Sequence, residues 1–192
     1  MPNWCNNNIT IEGPIGKIDK LYRAATAEGD DAGLLNAMVP RPAELNDTTA
    51  PSADSEERQA ELFQKYGANN WYDWSVSRWG TKWDVSPEGL EFIDNGEGRA
   101  MITGWFESAW SPPIGAYETF AEENPDCSIS ASYHEPGMDF AGFWINGEDE
   151  YCEDLHGEYK LPEDEQSDLF KRLDEEYGLS EQFAEWEEME DE

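Results

Sequence analysis

The sequence predicts an α+β fold: one antiparallel or mixed sheet with helices on one face, followed by two acidic amphipathic helices. Three observations lead there. Short segments in which apolar residues alternate with polar ones are interleaved with segments of helical spacing. Gly, Pro and Asn clusters separate them at intervals suited to turns. Nine Trp, eight Tyr and eight Phe give a 192-residue chain large side chains from which to build one core, although only 38% of its residues are hydrophobic.

The first element is a half-buried strand, Asn8-Ile9-Thr10-Ile11-Glu12, ending at Gly13-Pro14. Ile18, Leu21, Tyr22 and Ala25 then fall at i, i+3, i+4 and i+7, which predicts a helix stopped near Gly29. Leu34 to Val39 is apolar, and Pro40 to Ser55, rich in Pro, Asp, Thr and Ser, reads as an exposed insert loop over about 40–55. Ser55 and Gly67 are suited to cap the two ends of a surface helix. Leu90–Ile93 and Ala100–Phe106 flank Asp94-Asn95-Gly96-Glu97-Gly98 and predict a hairpin. Ser111-Pro112-Pro113 predicts a helix start with Ser111 as cap and Ile114, Tyr117, Phe120 and Ala121 as the apolar stripe. A second hairpin is predicted around Glu135-Pro136-Gly137-Met138, with a type II turn at Pro-Gly. From residue 8 to 145 the order is β, α, α, then β-β-α-β-β, which assigns residues 1–150 to an α+β core.

Residues 151–192 form a helical acidic extension. Pro162 before Glu163, Asp164 and Glu165 predicts a helix start, with Leu169, Phe170, Leu173 and Tyr177 on its inner side and Gly178 as terminator. Leu179, Phe183, Trp186 and Met189 repeat the pattern after the potential cap Ser180.

Charge limits the function. The chain holds 44 acids against 12 Lys and Arg, for −32. Residues 146–192 hold 20 acids against Lys160, Lys171 and Arg172, a balance of −17 in the last quarter of the chain. Such a surface repels nucleic acid and anionic membrane, both of which are bound through Lys and Arg. No direct nucleic-acid or membrane partner is therefore expected. The N-terminus lacks the basic and apolar regions of a signal peptide and no run long enough to span a bilayer is present, so a cytoplasmic protein is expected. Cys5, Cys127 and Cys152 are odd in number and contain no CxxC pair, which predicts free thiols and no zinc site.

Six stretches carry a family resemblance: MPNWCNN at the N-terminus, the Gly-Pro after the first strand, LLNAMVPRP, NWYDWSVSRWGTKWDV, SAWSPPIGAYETFAEENPD and YHEPGMDFAG. Over roughly residues 1–145 the chain resembles the Api-like family of phage and plasmid proteins. The resemblance implies a phage or mobile-element origin and a ferredoxin-like region at about 85–145. It supplies no catalytic residues.

Two surfaces are candidates for function. The first is the Trp-rich stretch, in which Trp71, Trp74, Trp79 and Trp83 stand with Arg78, Lys82 and Asp84. Aromatic and Arg side chains dominate binding hot spots, and a ring can stack on a nucleotide or other small ligand. The competing reading places Trp71, Trp74 and Trp79 in the core. The second is the acidic extension: Glu163, Asp164, Glu165, Asp168, Asp174, Glu175, Glu176, Glu181, Glu185, Glu187, Glu188, Glu190 and Asp191. Negative charge at the end of the last helix opposes the macrodipole and repels itself, so local physics does not favour it. A basic partner would supply the missing cations. The expected role is occlusion of a basic, nucleic-acid-handling host protein by DNA mimicry. A solvated surface or a salt-adapted chain would also be acid-rich.

Catalysis and cofactors find little support. His134 and His156 stand beside no nucleophile motif, and carboxylates such as Asp84, Glu107, Glu135 and Asp139 are abundant enough to pair by chance. Residues 146–158 lack the Gly and Glu of a calcium loop, and no phosphate-cradling Gly-rich motif occurs. A non-enzymatic protein without cofactor or metal is expected.

Overall fold

The structure, a computed structural model, describes residues 3–29 and 32–190. Strand β1 (Trp4–Pro14) runs longer than its apolar centre suggests, and its buried row is Cys5, Asn7, Ile9 and Ile11. It pairs antiparallel on both sides, Ile11 lying opposite Ile102 of β3 (Arg99–Ala109) and Ile129 of β4 (Ser128–Glu135). Two-sided pairing makes it a central strand. With β2 (Leu90–Gly96), β5 (Phe140–Ile145) and β6 (Glu148–Cys152) the order is β2-β3-β1-β4-β5-β6, and every neighbouring pair is antiparallel.

Helix α1 (Ile15–Ala25) follows β1, and α6 (Ile114–Glu123) joins β3 to β4. The path β1-α1-β2-β3-α6-β4 is the βαββαβ cycle of a ferredoxin-like fold, whose first strand is therefore at residues 4–14. Between α1 and β2 lies an insertion of α2 (Leu34–Met38), α3 (Ala43–Asn46), α4 (Glu56–Tyr66) and α5 (Trp71–Trp79). The expected exposed loop at 40–55 contains α3, because Leu45 drops into the core fully buried.

Several local expectations shift. Ser55 and Gly67 cap α4 as expected: Arg58 N–H donates to Ser55 Oγ, and Gly67 takes φ 76°. Ser111 does not cap α6; its hydroxyl donates to the Gly80 carbonyl at 2.6 Å, tying the two segments together. In the β4–β5 turn the left-handed residue is Asp139 (φ 59°), not Gly137, so the turn is not type II at Pro-Gly. Asn146-Gly147, both left-handed, makes a two-residue turn into β6.

One face of the sheet, with Ile9, Ile11, Ile102, Ile129 and Trp144, packs against Ile18, Leu34, Leu35, Trp79 and Tyr117 of α1, α2, α5 and α6. Side chains alternate along a strand, so Ala141 and Phe143 face the other way. There they meet α7 (Leu155–Tyr159), α8 (Asp168–Tyr177) and α9 (Leu179–Glu190) through Leu155, Phe170, Leu173, Leu179 and Phe183. The C-terminal helices thus cover the β4–β6 half of the second face. Trp105, on β3 beyond their reach, remains 62% exposed. Among the described residues no helix is long and apolar enough to cross a membrane.

Candidate functional site

The acidic helices are docked rather than projecting. Pro162 opens a turn, with Glu165 N–H donating to its carbonyl at 2.8 Å, and α8 starts only at Asp168. The N-cap is Ser167, whose Oγ accepts from Phe170 N–H at 3.1 Å. Gly178 at φ 65° ends α8, as expected. Ser180 is not the cap of α9: it lies inside the helix, and Asp174 accepts from its N–H at 2.6 Å and its hydroxyl at 2.7 Å. Asp174 therefore joins α8 to α9.

Of the other acids expected to bind a partner, Glu163, Asp164 and Glu165 are exposed in the turn, Asp168 and Glu175 on α8, and Glu181, Glu185, Glu187 and Glu188 on α9. Glu176 is exposed too but accepts from Asn8 Nδ2 at 3.1 Å and Ser132 Oγ at 3.0 Å, bracing α8 across the sheet. Glu187 Oε1 lies 3.6 Å from His156 Nε2. Glu190 ends α9, and Asp191 lies outside the described residues. No base occupies the last turn of α9. The stripe begun by the buried Leu179 and Phe183 continues into solvent as Trp186, 43% exposed. Sequence reading placed Trp186 with the apolar face; it packs edge to face on Phe183, ring centroids 5.5 Å apart, and leaves the rest of its ring in solvent.

The Trp-rich stretch divides between core and surface. Asn70 accepts from Asp73 N–H at 2.9 Å and Gly80 at φ 87° closes the helix, so Trp71–Trp79 is α5. A Cβ on Gly80 would also lie 3.3 Å from the α6 backbone. Trp74 and Trp79 are buried edge to face, and Trp79 Nε1 donates to the Val39 carbonyl at 2.9 Å. Arg78 is exposed. Asp84 is occupied by the fold: its carboxylate accepts from the N–H groups of Leu35, Asn36 and Val85 at 2.7–2.9 Å. Burial pushes its pKa up, and the three backbone donors oppose that rise.

Lys82 and Trp83 stay at the surface and recruit residues that sequence reading missed. Lys82 Nζ lies 4.3 Å from the Trp83 ring centroid, 5.2 Å from Trp110 and 5.8 Å from Tyr72, a cation held among aromatic faces. Lys82 and Trp110 also line a pocket of about 580 Å³ with Trp71, Tyr72, Gln59 and Asn69. Trp110 stands 28 positions from Lys82, and a single sequence gives no sign that a strand end brings them together.

The remaining candidates separate. Glu135 is buried and accepts from Gly137 N–H, whereas Asp139 accepts from His156 N–H at 3.2 Å. Among the described residues no group of three or more His, Cys, Asp or Glu could hold a metal ion. The three cysteines are free, and burial pushes the Cys5 thiol up to about 12.

A family model described as the ferredoxin-like domain in Api92-like protein matches residues 79–189, a span that includes α7, α8 and nearly all of α9. Among solved structures, the crystal structure of protein Api92 from Yersinia pseudotuberculosis is similar at a TM-score of 0.40 and 12% identity, covering 80% of this chain and 98% of that one. No curated protein matches the chain. The family match takes in β2 to β6 with α6 and the helices that cover the second face of the sheet, more than half of the molecule, and by it the chain belongs to the Api92-like proteins.

Proposed function

We propose that this protein, of phage or mobile-element origin, binds a basic, nucleic-acid-handling host protein through α8 and α9 and occludes its nucleic-acid groove as a DNA mimic. The docking of both helices by Phe170, Leu173, Leu179 and Phe183 is the observation that carries the reading. It fixes the outward carboxylates in space, so a partner meets an ordered acidic layer at low entropic cost. Helix α9 holds Glu181, Glu185, Glu187, Glu188 and Glu190. Its 12 residues extend about 18 Å. That is one carboxylate per roughly 3.6 Å, against about 3.4 Å per phosphate along one DNA strand. Among the described residues, six of the twelve Lys and Arg pair with a carboxylate: Lys17, Arg23, Arg58, Lys65 and Arg99 outside α8 and α9, and Arg172 on α8, which pairs with Glu150.

The test is affinity capture from host lysate on the intact protein and on a variant with Glu181, Glu185, Glu187 and Glu188 changed to Gln. Neutralisation is preferred to truncation, because removing α8 and α9 would bare Ala141, Phe143 and Leu155. A basic nucleic-acid-binding protein should be retained at low salt, released at high salt and displaced by duplex DNA, and the Gln variant should not retain it. Equal retention by the Gln variant would remove the reading.

A further inference from the structure

We propose that the pocket between α4, α5 and the Lys82–Trp110 rim binds a small planar aromatic anion, its ring against the aromatic wall and its carboxylate or phosphate on Lys82. The volume of about 580 Å³ suits a small ligand. Its chemistry follows from which polar groups remain free. Asn69 Nδ2 donates to Gln59 Oε1, Gln59 Nε2 to the Asp54 carbonyl, and Asn70 Nδ2 to both Asn69 Oδ1 and Asp73 Oδ2. The side-chain oxygens of Gln59 and Asn69 are thus engaged, while each of their amino groups keeps a second N–H. Lys82 adds an ammonium that aromatic rings, not a carboxylate, hold in place. The lining therefore offers donors at Gln59, Asn69 and Lys82 beside one carboxylate, Asp73, whose Oδ2 accepts from Asn70, and an acceptor-rich ring with its single negative group placed on Lys82 complements it.

Two further features hold the rim in this arrangement. Trp110 has φ 70°, a left-handed conformation that bulky side chains avoid, and its N–H is fixed to the Asn3 carbonyl at 2.9 Å. Thr81 Oγ1 donates to the Ala109 carbonyl at 2.8 Å, which sets the residue before Lys82 against the residue before Trp110. The net charge of −32 penalises negative charge beyond what Lys82 neutralises, so among phosphates affinity should fall from AMP to ATP. This site shares no residue with the acidic surface of α8 and α9, and the two readings stand or fall separately.

The experiment is calorimetric and Trp-fluorescence titration of the intact protein with nicotinate, nicotinamide, AMP, adenosine and ATP. Nicotinate or AMP should saturate with a Kd at or below about 1 mM. Its neutral counterpart should bind about tenfold more weakly, and ATP more weakly than AMP. Which anion binds better identifies carboxylate or phosphate as the group on Lys82. Lys82→Met, which keeps the apolar stem, should erase the preference for the anion without changing the melting temperature. Trp110→Ala should weaken the charged and neutral ligands alike. Failure of both anions to saturate overturns the proposal, as does an undiminished preference for the anion in Lys82→Met.

Discussion

His134 stands at the junction of the sheet with α8, 4% exposed, its ring 5.3 Å from that of Tyr177. Burial lowers its pKa from 6.5 to about 4. The folded protein keeps the imidazole neutral where the unfolded chain would protonate it, so this stability is complete above pH 6.5 and lost as pH falls toward 4. The difference corresponds to roughly 3 kcal/mol. Glu44 belongs to a lower window: Lys65, Tyr66 and Arg58 hold its carboxyl near 2, so its contribution is present above pH 4.5 and lost toward pH 2. Urea unfolding of the parent and His134→Gln at pH 7 and 4.5 separates the two. The parent should lose most of that 3 kcal/mol across this interval, whereas the variant should lose much less; parallel curves would show that His134 is not the titrating group.

At the scale of elements, Asp174 decides whether α9 has a defined start. Replacing it with Ala should cost about 1–2 kcal/mol, since two hydrogen bonds to Ser180 are lost at a helix N-terminus. Hydrogen exchange should quicken over 179–190 while β1 and β3 stay protected; uniform quickening would mean that α9 does not open on its own. Much of the fold was legible in the sequence where one physical signal dominated. Ile9 and Ile11 marked β1, the Gly-rich turn marked the β2–β3 hairpin, and Phe170, Leu173, Leu179 and Phe183 marked the inner faces of α8 and α9. Strand β6 escaped because Glu148, Asp149 and Glu150 lack an apolar alternation, although Asn146-Gly147 is a strong hairpin signal. Pro162 misled because a proline followed by acids suits a turn as well as a helix start. The Trp-rich stretch was legible as a place but not as a site: helix α5 turns Trp74 and Trp79 inward, and the partners of Lys82 come from the distant end of β3.

For the molecule as a whole, −32 on 192 residues is a load that isolated surface ion pairs do not offset, because each contributes at most about 1 kcal/mol. The fold should therefore be limited by self-repulsion at low ionic strength. Raising salt from about 0.01 to 0.15 M shortens the Debye length from about 30 to 8 Å, so repulsion among exposed acids further apart than that is largely screened. A gain of about 2 kcal/mol would raise the melting temperature by about 4–8 °C in a domain of this size. The rise should flatten beyond 0.15 M and be equal for chloride and sulfate at matched ionic strength, which distinguishes screening from surface exclusion. A continued rise into molar salt would instead mark a salt-adapted chain. The variant with Glu181, Glu185, Glu187 and Glu188 changed to Gln joins this expectation to partner binding. It should melt higher than the parent at 0.01 M salt, and the difference should shrink at 0.15 M, because Glu187 and Glu188 oppose the α9 dipole at its C-terminal end and the four carboxylates repel one another, which outweighs the favourable place of Glu181 in the first turn. A variant that is more stable yet fails to hold a basic partner would show that the protein keeps these acids for binding, against its own stability. If neutralisation lowers the melting temperature, the same acids support the fold, and that explanation of their retention is lost.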